Sequence, residues 1–175
     1  MTTIGLDVST TFTGITILDD LGAIILCDAI KFPGKLDTFE KADKVSDYLA
    51  NLKVKPTRLV IEEPLLGFQK GGSSATTITS LFRFNGMISY IARGVLGISP
   101  KYTSASHARK ICGLKMQQKK ICGKTHKEQT AKYMLMHDLS HINWPKKKNG
   151  IDIQPWVYDA IDSYVIAKCG FIEKL

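Results

Sequence analysis

The sequence has no apolar run long enough to cross a bilayer, and its first residues, Met1-Thr2-Thr3, lack the basic region of a secretory signal. It also contains no internal repeat and no low-complexity segment. We therefore expect a cytoplasmic protein with no membrane partner. A length of 175 residues with 44% apolar content predicts a single globular domain over residues 1–175.

Cysteine is scarce as well. The four cysteines, Cys27, Cys112, Cys122 and Cys169, are widely separated, and none belongs to a C-x-x-C pair. Without an export signal, this pattern indicates reduced thiols rather than disulfides. A zinc site is an open alternative, because a His-x4-Cys-x9-Cys-x3-His series is formed by His107, Cys112, Cys122 and His126. That spacing matches no common zinc module, so we favour thiols without metal.

Negative charge is nearly absent from the segment between Lys101 and Lys148. Twelve lysines and arginines stand there against Glu128 and Asp138 alone, so the segment carries +10, whereas the whole chain carries +8. A solvated surface explains any one lysine, but a whole stretch with this bias is typical of a protein that binds a polyanion. We predict nucleic acid rather than a membrane, because acidic residues elsewhere in the chain favour a phosphate substrate that metal can bridge.

The apolar pattern predicts an α/β fold. Three β-branched runs, at residues 3–8, 14–18 and 23–32, are separated by turn-like segments and predict an antiparallel meander. A helix over 37–53 followed by a strand at 59–63 indicates a right-handed crossover, which places that strand parallel to the first. The complete prediction is a five-stranded mixed sheet flanked by helices, with further elements at 75–96, 98–103, 104–112, 125–137 and 157–169.

The helix over 75–96 is predicted to face the core with one apolar stripe. The stripe consists of Ile78, Leu81, Phe82, Ile88, Ile91 and Val95. Phe84 and Met87 lie off this stripe, and the outer face of the helix is a candidate partner surface.

The feature of the sequence that says most about function is a set of four carboxylates in three separated segments. Asp7 lies in the first strand, Glu62 lies in the strand at 59–63, and Asp159 and Asp162 share one face of the last helix. A buried ionised carboxylate is costly unless it is compensated, and a divalent metal compensates several acids at once. Parallel strand pairing would make Asp7 and Glu62 neighbours. The pattern predicts two Mg²⁺ ions, with Mn²⁺ as a substitute, and hydrolysis of a nucleic-acid backbone.

Taken together, these segments resemble the RuvC-type Holliday junction resolvases of the ribonuclease H-like superfamily, over nearly the whole chain. The motifs are Ile-Gly-Leu-Asp-Val-Ser-Thr-Thr-Phe-Thr-Gly at 4–14, Val-Ile-Glu at 60–62 and Asp-Ala-Ile-Asp at 159–162. The resemblance implies a ribonuclease H-like fold with no organic cofactor, and catalytic metal ligands at Asp7, Glu62, Asp159 and Asp162. Of these four ligand assignments, the choice of Glu62 over Glu63 depends most on the resemblance.

The same resemblance implies a nuclease of DNA recombination and repair. Such a crossover junction endodeoxyribonuclease binds branched DNA and resolves four-way junctions by paired symmetric nicks. Two symmetric cuts need two active sites, so the resemblance also implies a homodimer, packed through the outer face of the helix over 75–96.

Two further stretches are similar to the family and suggest DNA contacts. His-Ala-Arg-Lys at 107–110 resembles a basic helix start, and Lys-Glu-Gln at 127–129 resembles a segment whose lysine lies near the active site. Lys127 is therefore expected to be catalytic and to stabilise developing negative charge. The candidates for DNA contact are Phe68, Lys70, Arg109, Lys110, Lys115, Lys119, Lys120, Lys124 and Lys127.

The chain departs from the family pattern in two places. Val8 and Ser9 replace the usual Pro-Gly after the first aspartate. Leu65 stands where the family often has a stacking aromatic residue, and Phe68 follows three residues later. Phe68 is either a displaced stacking wedge or an ordinary loop anchor.

Other functions remain open at this point. A ribonuclease H-like nuclease could act on RNA–DNA hybrids, flaps or general branches, and a junction-binding protein could have lost cleavage. Asp7 with Ser-Thr-Thr and Gly14 also resembles the first phosphate loop of the sugar-kinase and actin fold. That fold needs two such domains, which 175 residues cannot supply.

Overall fold

A five-stranded mixed sheet lies at the centre of the computed structural model, which describes residues 1–64 and 75–175. Its strands are β1 (Thr3–Asp7), β2 (Phe12–Leu18), β3 (Ile24–Lys31), β4 (Arg58–Glu62) and β5 (Lys101–Thr103), in the order β3-β2-β1-β4-β5. The first three strands are antiparallel, while β4 runs parallel to β1 and β5 parallel to β4. The predicted α/β fold class is confirmed. Phe68 and Lys70 lie outside the described residues.

Six helices accompany the sheet in the described ranges. They are α1 (Thr38–Ala50), α2 (Ala75–Leu96), α3 (Ala105–Ile111), α4 (Lys119–Cys122), α5 (His126–Met136) and α6 (Pro155–Glu173). Capping boxes start α1 at Asp37 and α5 at Thr125. In each box the cap side chain accepts a hydrogen bond from a helix amide, and the glutamate three residues later accepts one from the backbone amide of the cap residue. None of these helices combines the length and apolar character that a membrane span needs. The four cysteines are all free.

The sheet buries a different core on each face. Ile4 and Leu6 of β1 and Ile61 of β4 pack with α1 and α2 on one face. Val60 of β4 belongs to the core on the other face, which is built around α6. Because side chains alternate along a strand, Asp7 and Glu62 at the strand ends fall on the α6 face. This alternation therefore directs both acids towards α6, the helix that carries Asp159 and Asp162.

Glycine lets α6 lie against the sheet at close range. A Cβ atom on Gly14 would overlap the carbonyl group of Asp159, and one on Gly5 would overlap the backbone of Ala167. Gly14 is also the residue of β2 that pairs with Asp7. The absence of a side chain at Gly14 thus brings the α6 backbone at Asp159 close to the strand end that bears Asp7.

The predicted core stripe of α2 is wrong at several positions. Phe84 is fully buried, with its ring centroid 5.9 Å from that of Phe32, whereas Phe82 and Val95 are 37% and 38% exposed. The buried face instead consists of Phe84, Asn85, Ile88, Ser89 and Ala92. Its small members allow α2 to pack closely on α1, so the partner helix, rather than the count of large apolar residues, decides which face turns inward.

Candidate active site

The four predicted acids converge at one edge of the sheet. Asp7 ends β1 and Glu62 ends β4, and the pairing of Leu6 with Ile61 places them side by side. Asp159 and Asp162 lie on α6, which packs on both strands. Asp7, Asp159 and Asp162 are all buried. Three separate segments of the chain therefore contribute to one carboxylate cluster.

The structure distinguishes Glu62 from its neighbour Glu63. The charges of Asp162, Arg109 and Lys127 act on the Glu62 carboxyl group, and the Glu62 charge in turn acts on Asp7. Glu63 is exposed, and its backbone amide donates to the Thr103 carbonyl at 2.9 Å. The strand alternation that turns Glu62 towards α6 turns the next residue away. Geometry thus places Glu62, not Glu63, in the cluster.

Burial and mutual repulsion govern the electrostatics of the cluster. Burial raises the pKa of Asp7 well above its ordinary value, and the negative charges of Glu62 and Asp162 raise it further. Burial, reinforced by Asp162, raises the pKa of Glu62 to about 7. Burial also raises the pKa values of Asp159 and Asp162, although Lys127 opposes the shift in both. Ionising all four groups therefore calls for positive charge nearby.

Two basic side chains supply part of that charge. The Lys127 Nζ atom donates to Asp159 Oδ1 at 2.8 Å and lies 3.5 Å from Asp162 Oδ2. Burial alone would lower the pKa of Lys127, but attraction to Asp7, Asp162 and Asp159 raises it overall. Arg109 Nη2 lies 3.4 Å from Asp162 Oδ1. Four carboxylates and two cations leave a formal excess of two negative charges.

The donor set fits a hard divalent cation. Carboxylate oxygens are the ligands that Mg²⁺ and Mn²⁺ prefer, and the excess negative charge favours a divalent ion. Within the described ranges, one group of three potential ligands has all its ligand atoms within 4.8 Å of one another, and it is His107, Cys169 and Glu173. The four acids are spaced more widely than that, with the Lys127 ammonium group between Asp159 and Asp162. Metal binding at the acids would draw their side chains together.

Residues 127–129 each contribute differently to the surroundings of the acids. Lys127 contacts the carboxylates, whereas Glu128 accepts from the backbone amide of Thr125 at 2.7 Å and closes the capping box. Gln129 Oε1 accepts from the Gln117 amide at 2.9 Å, and Gln129 Nε2 donates to the Gln117 and Lys124 carbonyls at 2.8 and 3.0 Å. One turn of α5 therefore positions Lys127 and also holds the preceding basic segment in place.

Apart from Lys127, which contacts the acids, the described candidates for DNA contact divide into two sets. Arg109 has a side chain only 14% exposed and points at Asp162, so it orients an acid rather than presenting an open phosphate contact. The other set is exposed: Lys110 lies in the last turn of α3, and Lys115, Lys119, Lys120 and Lys124 lie on α4 or beside it in sequence. The structure thus separates a buried cation of the acid cluster from an exposed basic surface.

The zinc series considered from the sequence does not assemble. His107 Nε2 lies 2.9 Å from Glu173 Oε1, while the Cys112 thiol donates to the Val165 carbonyl at 3.5 Å. The Cys122 thiol instead donates to the Gln118 and Lys124 carbonyls. His107 therefore has a different partner from the ones its sequence spacing suggested.

Sequence reasoning also missed an aromatic group at the start of α6. Trp156 precedes Asp159 by three residues, and Lys31 Nζ lies 4.2 Å from the centre of its ring. The Trp144 and Trp156 rings meet edge to face with centroids 6.4 Å apart. These contacts join β3 to the first turn of the acid-bearing helix. The only signal in the sequence was the Trp-x-x-Asp spacing.

No protein-family profile and no curated protein matches the sequence. Solved structures do match. RuvC from Thermus thermophilus in complex with a Holliday junction substrate gives a TM-score of 0.68 at 13% identity, over 99% of this chain and 95% of the other. A second T. thermophilus RuvC structure gives 0.64 at 15% identity, over 99% and 96%. The yeast mitochondrial Holliday junction resolvase Ydc2 gives 0.53 at 14% identity, over 96% and 76%. The chain therefore has the fold of the RuvC-type Holliday junction resolvases, in a divergent form.

Proposed function

We propose that this chain is a metal-dependent endodeoxyribonuclease that binds branched DNA and resolves four-way junctions by paired symmetric nicks. The observation that carries the proposal is the cluster of four carboxylates with Lys127 at one edge of the sheet. The fold supports it, because a solved structure of similar fold is a RuvC bound to a Holliday junction substrate. The proposal also implies a cytoplasmic, nucleoid-associated enzyme of recombination and repair.

Asp7, Glu62, Asp159 and Asp162 would hold the metal, proposed as two Mg²⁺ ions with Mn²⁺ as a substitute. When bound, such ions supply an activated water and stabilise the leaving oxygen of a phosphodiester. Lys127 and Arg109 keep Asp159 and Asp162 oriented through the contacts they make in the structure. The Lys127 side chain is 40% exposed, and its ammonium group can also donate to a phosphate oxygen as negative charge develops there.

The test is cleavage of a labelled synthetic four-way junction, with no metal, with Mg²⁺ and with Mn²⁺. We expect nicks at symmetric positions on two opposing strands, only in the presence of metal. Parallel reactions use a flap and an RNA–DNA hybrid of the same sequence. Preferential cutting of the hybrid would replace the proposal with a ribonuclease H-like activity, and metal-dependent binding without nicks would replace it with a junction-binding role.

Paired cutting also requires two copies of the site, and we propose a homodimer formed through α2. Three large side chains of this helix stay partly or largely exposed: Phe82 at 37%, Tyr90 at 78% and Val95 at 38%. Apolar and aromatic side chains left in water on a long helix are typical of a self-association surface. Sedimentation should show a dimer at the concentrations used for cleavage, and a monomer under those conditions would contradict paired cutting.

Replacing Lys127 with alanine is expected to lower the cleavage rate about 10² to 10³-fold, the usual effect of losing a donor to developing charge. Junction affinity, measured by fluorescence anisotropy without metal, should change far less, because one phosphate contact is a small part of a basic surface. Lys132→Ala is the matched control, since Lys132 is an exposed lysine of the same helix. Equal losses of binding and cleavage in Lys127→Ala would assign Lys127 to DNA holding alone.

Removing the exposed lysines near α4 is expected to weaken binding rather than catalysis. The variant replaces Lys115, Lys119, Lys120 and Lys124 with alanine. Its log Kd should depend less steeply on log salt, by about 0.9 for each DNA phosphate that these lysines no longer neutralise. Cleavage at saturating protein should stay near the wild-type rate. A control with the same change in charge replaces four exposed lysines elsewhere, Lys35, Lys44, Lys53 and Lys55. An equal change in slope in both variants would show that net charge alone weakens binding and that the lysines near α4 have no special part in it.

A further inference from the structure

A second group of potential metal ligands lies outside the acid cluster, where α3 meets the end of α6. His107 Nε2 is 2.9 Å from Glu173 Oε1 and 3.0 Å from Glu173 Oε2. The Cys169 Sγ atom is 3.4 Å from Glu173 Oε2. The ligand atoms of the three residues all lie within 4.8 Å of one another. The group is compact and contains one nitrogen, one sulfur and one carboxylate.

Both the chemistry and the spacing suit zinc. Zinc bonds of about 2.0 to 2.3 Å at tetrahedral angles place neighbouring ligand atoms about 3.3 to 3.6 Å apart. The His107–Glu173 separations of 2.9 and 3.0 Å and the Cys169–Glu173 separation of 3.4 Å need only a slight widening. The His107 and Cys169 ligand atoms lie within 4.8 Å of each other. A mixture of imidazole, thiolate and carboxylate favours zinc over magnesium, which prefers oxygen ligands alone. Three protein ligands leave a fourth position for water.

We propose that His107, Cys169 and Glu173 form a binding site for a zinc-type divalent transition metal. Cys169 forms the floor of the site, since it is buried, whereas His107 and Glu173 are exposed and leave a route from solvent. The Thr103 hydroxyl lies 3.7 Å from the Cys169 sulfur and can hydrogen-bond to it, which would orient the sulfur towards the metal. On binding, the Cys169 thiol gives up its proton to solvent, and the metal takes the place of the thiol hydrogen bond to Glu173.

The position of the site suggests that the metal holds two elements of the nuclease together. α3 carries both His107 and Arg109, and α6 carries Asp162 as well as Cys169 and Glu173. The contact between Arg109 and Asp162 therefore joins the same two helices as the proposed metal. A bound ion would restrain α3 against α6 and hold Arg109 at the acid cluster. Metal binding itself does not depend on the proposed nuclease activity.

The decisive experiment titrates the full chain with Co²⁺ as a spectroscopic substitute and follows the near-ultraviolet charge-transfer band that a thiolate–cobalt bond produces. We expect the band in the wild-type protein and its displacement by Zn²⁺. Cys169→Ser should remove it, and His107→Ala should weaken metal affinity by more than roughly 100-fold, because a direct ligand matters more than a residue that only orients one. Circular dichroism establishes that each variant is folded.

Two control variants separate this site from the rest of the molecule. Cys122→Ala removes a thiol outside the group and should keep the band. Asp7→Asn alters the acid cluster and should also keep it, because carboxylates produce no thiolate band. If wild-type protein shows no band, or if the band persists in Cys169→Ser, the three residues form only an ion pair with a neighbouring thiol. Neither outcome bears on the junction cleavage assay.

Discussion

Replacing Asp7 with asparagine is expected to abolish metal-dependent cleavage and at the same time to make the metal-free protein harder to unfold. The amide loses the negative charge that a divalent ion needs, and a loss of about 4 kcal/mol of transition-state stabilisation corresponds to about a thousandfold in rate. In the metal-free protein the same change removes a buried charge that Glu62 and Asp162 repel. The new amide can donate to the neighbouring Glu62 carboxylate, which the Asp7 carboxylate repels.

Cleavage of the labelled junction and thermal unfolding in the presence of a chelator measure the two effects. The free energy of unfolding should rise on the order of 2 kcal/mol, which for a chain of this length raises the melting temperature by about 5 °C. Asp43→Asn is the control, because Asp43 is an exposed acid of α1 and should change neither quantity. Wild-type cleavage by Asp7→Asn would exclude Asp7 as a metal ligand, and a lower melting temperature would show that its charge stabilises the metal-free fold.

Adding a single methyl group at Gly14 is expected to be the most damaging small substitution in the sheet. The Cβ atom of Gly14→Ala would overlap the Asp159 carbonyl and press on the Ser163 side chain. Because the obstacle is largely backbone, no side-chain rotation relieves it, and either β2 or α6 must shift. We expect a cost of about 3 kcal/mol or more in unfolding free energy, at the upper end for overpacking.

The loss at Gly14 should extend to activity, since a shift of α6 moves Asp159 away from Asp7. Denaturant unfolding and junction cleavage, measured at a temperature where the variant stays folded, test both effects. Gly86→Ala provides the control, because Gly86 lies on α2 with no heavy atom within 4 Å of the added Cβ. That variant should gain about 1 kcal/mol from helix propensity. A Gly14→Ala protein as stable and active as wild type would mean that α6 does not depend on this close approach.

The fold was accessible from the sequence because its strongest signals are local. Apolar, β-branched runs separated by turn-like segments mark β1, β2 and β3, and the capping residues Asp37 and Thr125 mark the starts of α1 and α5. The handedness of the crossover then places β4 parallel to β1, as observed. Each of these inferences depends on neighbours in the chain or on a general rule of connection.

The orientation of α2 was not accessible in the same way. Several large apolar residues lie around the helix, so their spacing alone does not single out one buried face. Phe84 turns inward because Phe32 and α1 offer it a packed site, whereas Phe82 remains 37% exposed. A helix face is chosen by what it packs against, and that partner lies far away in sequence.

By itself, the sequence indicated which acids can meet: Asp7 lies in the first predicted strand, and the spacing of Asp159 and Asp162 places them on one helix face. The choice of Glu62 over Glu63 came from the family resemblance. Only the tertiary structure decided how they are compensated. Lys127 and Arg109 come from α5 and α3, and their charges reach the acids through packing on α6. The same packing brings His107 to Cys169 and Glu173, whereas its spacing in the chain had suggested Cys112. Charge interactions depend on distance in space, which separation along the chain does not determine.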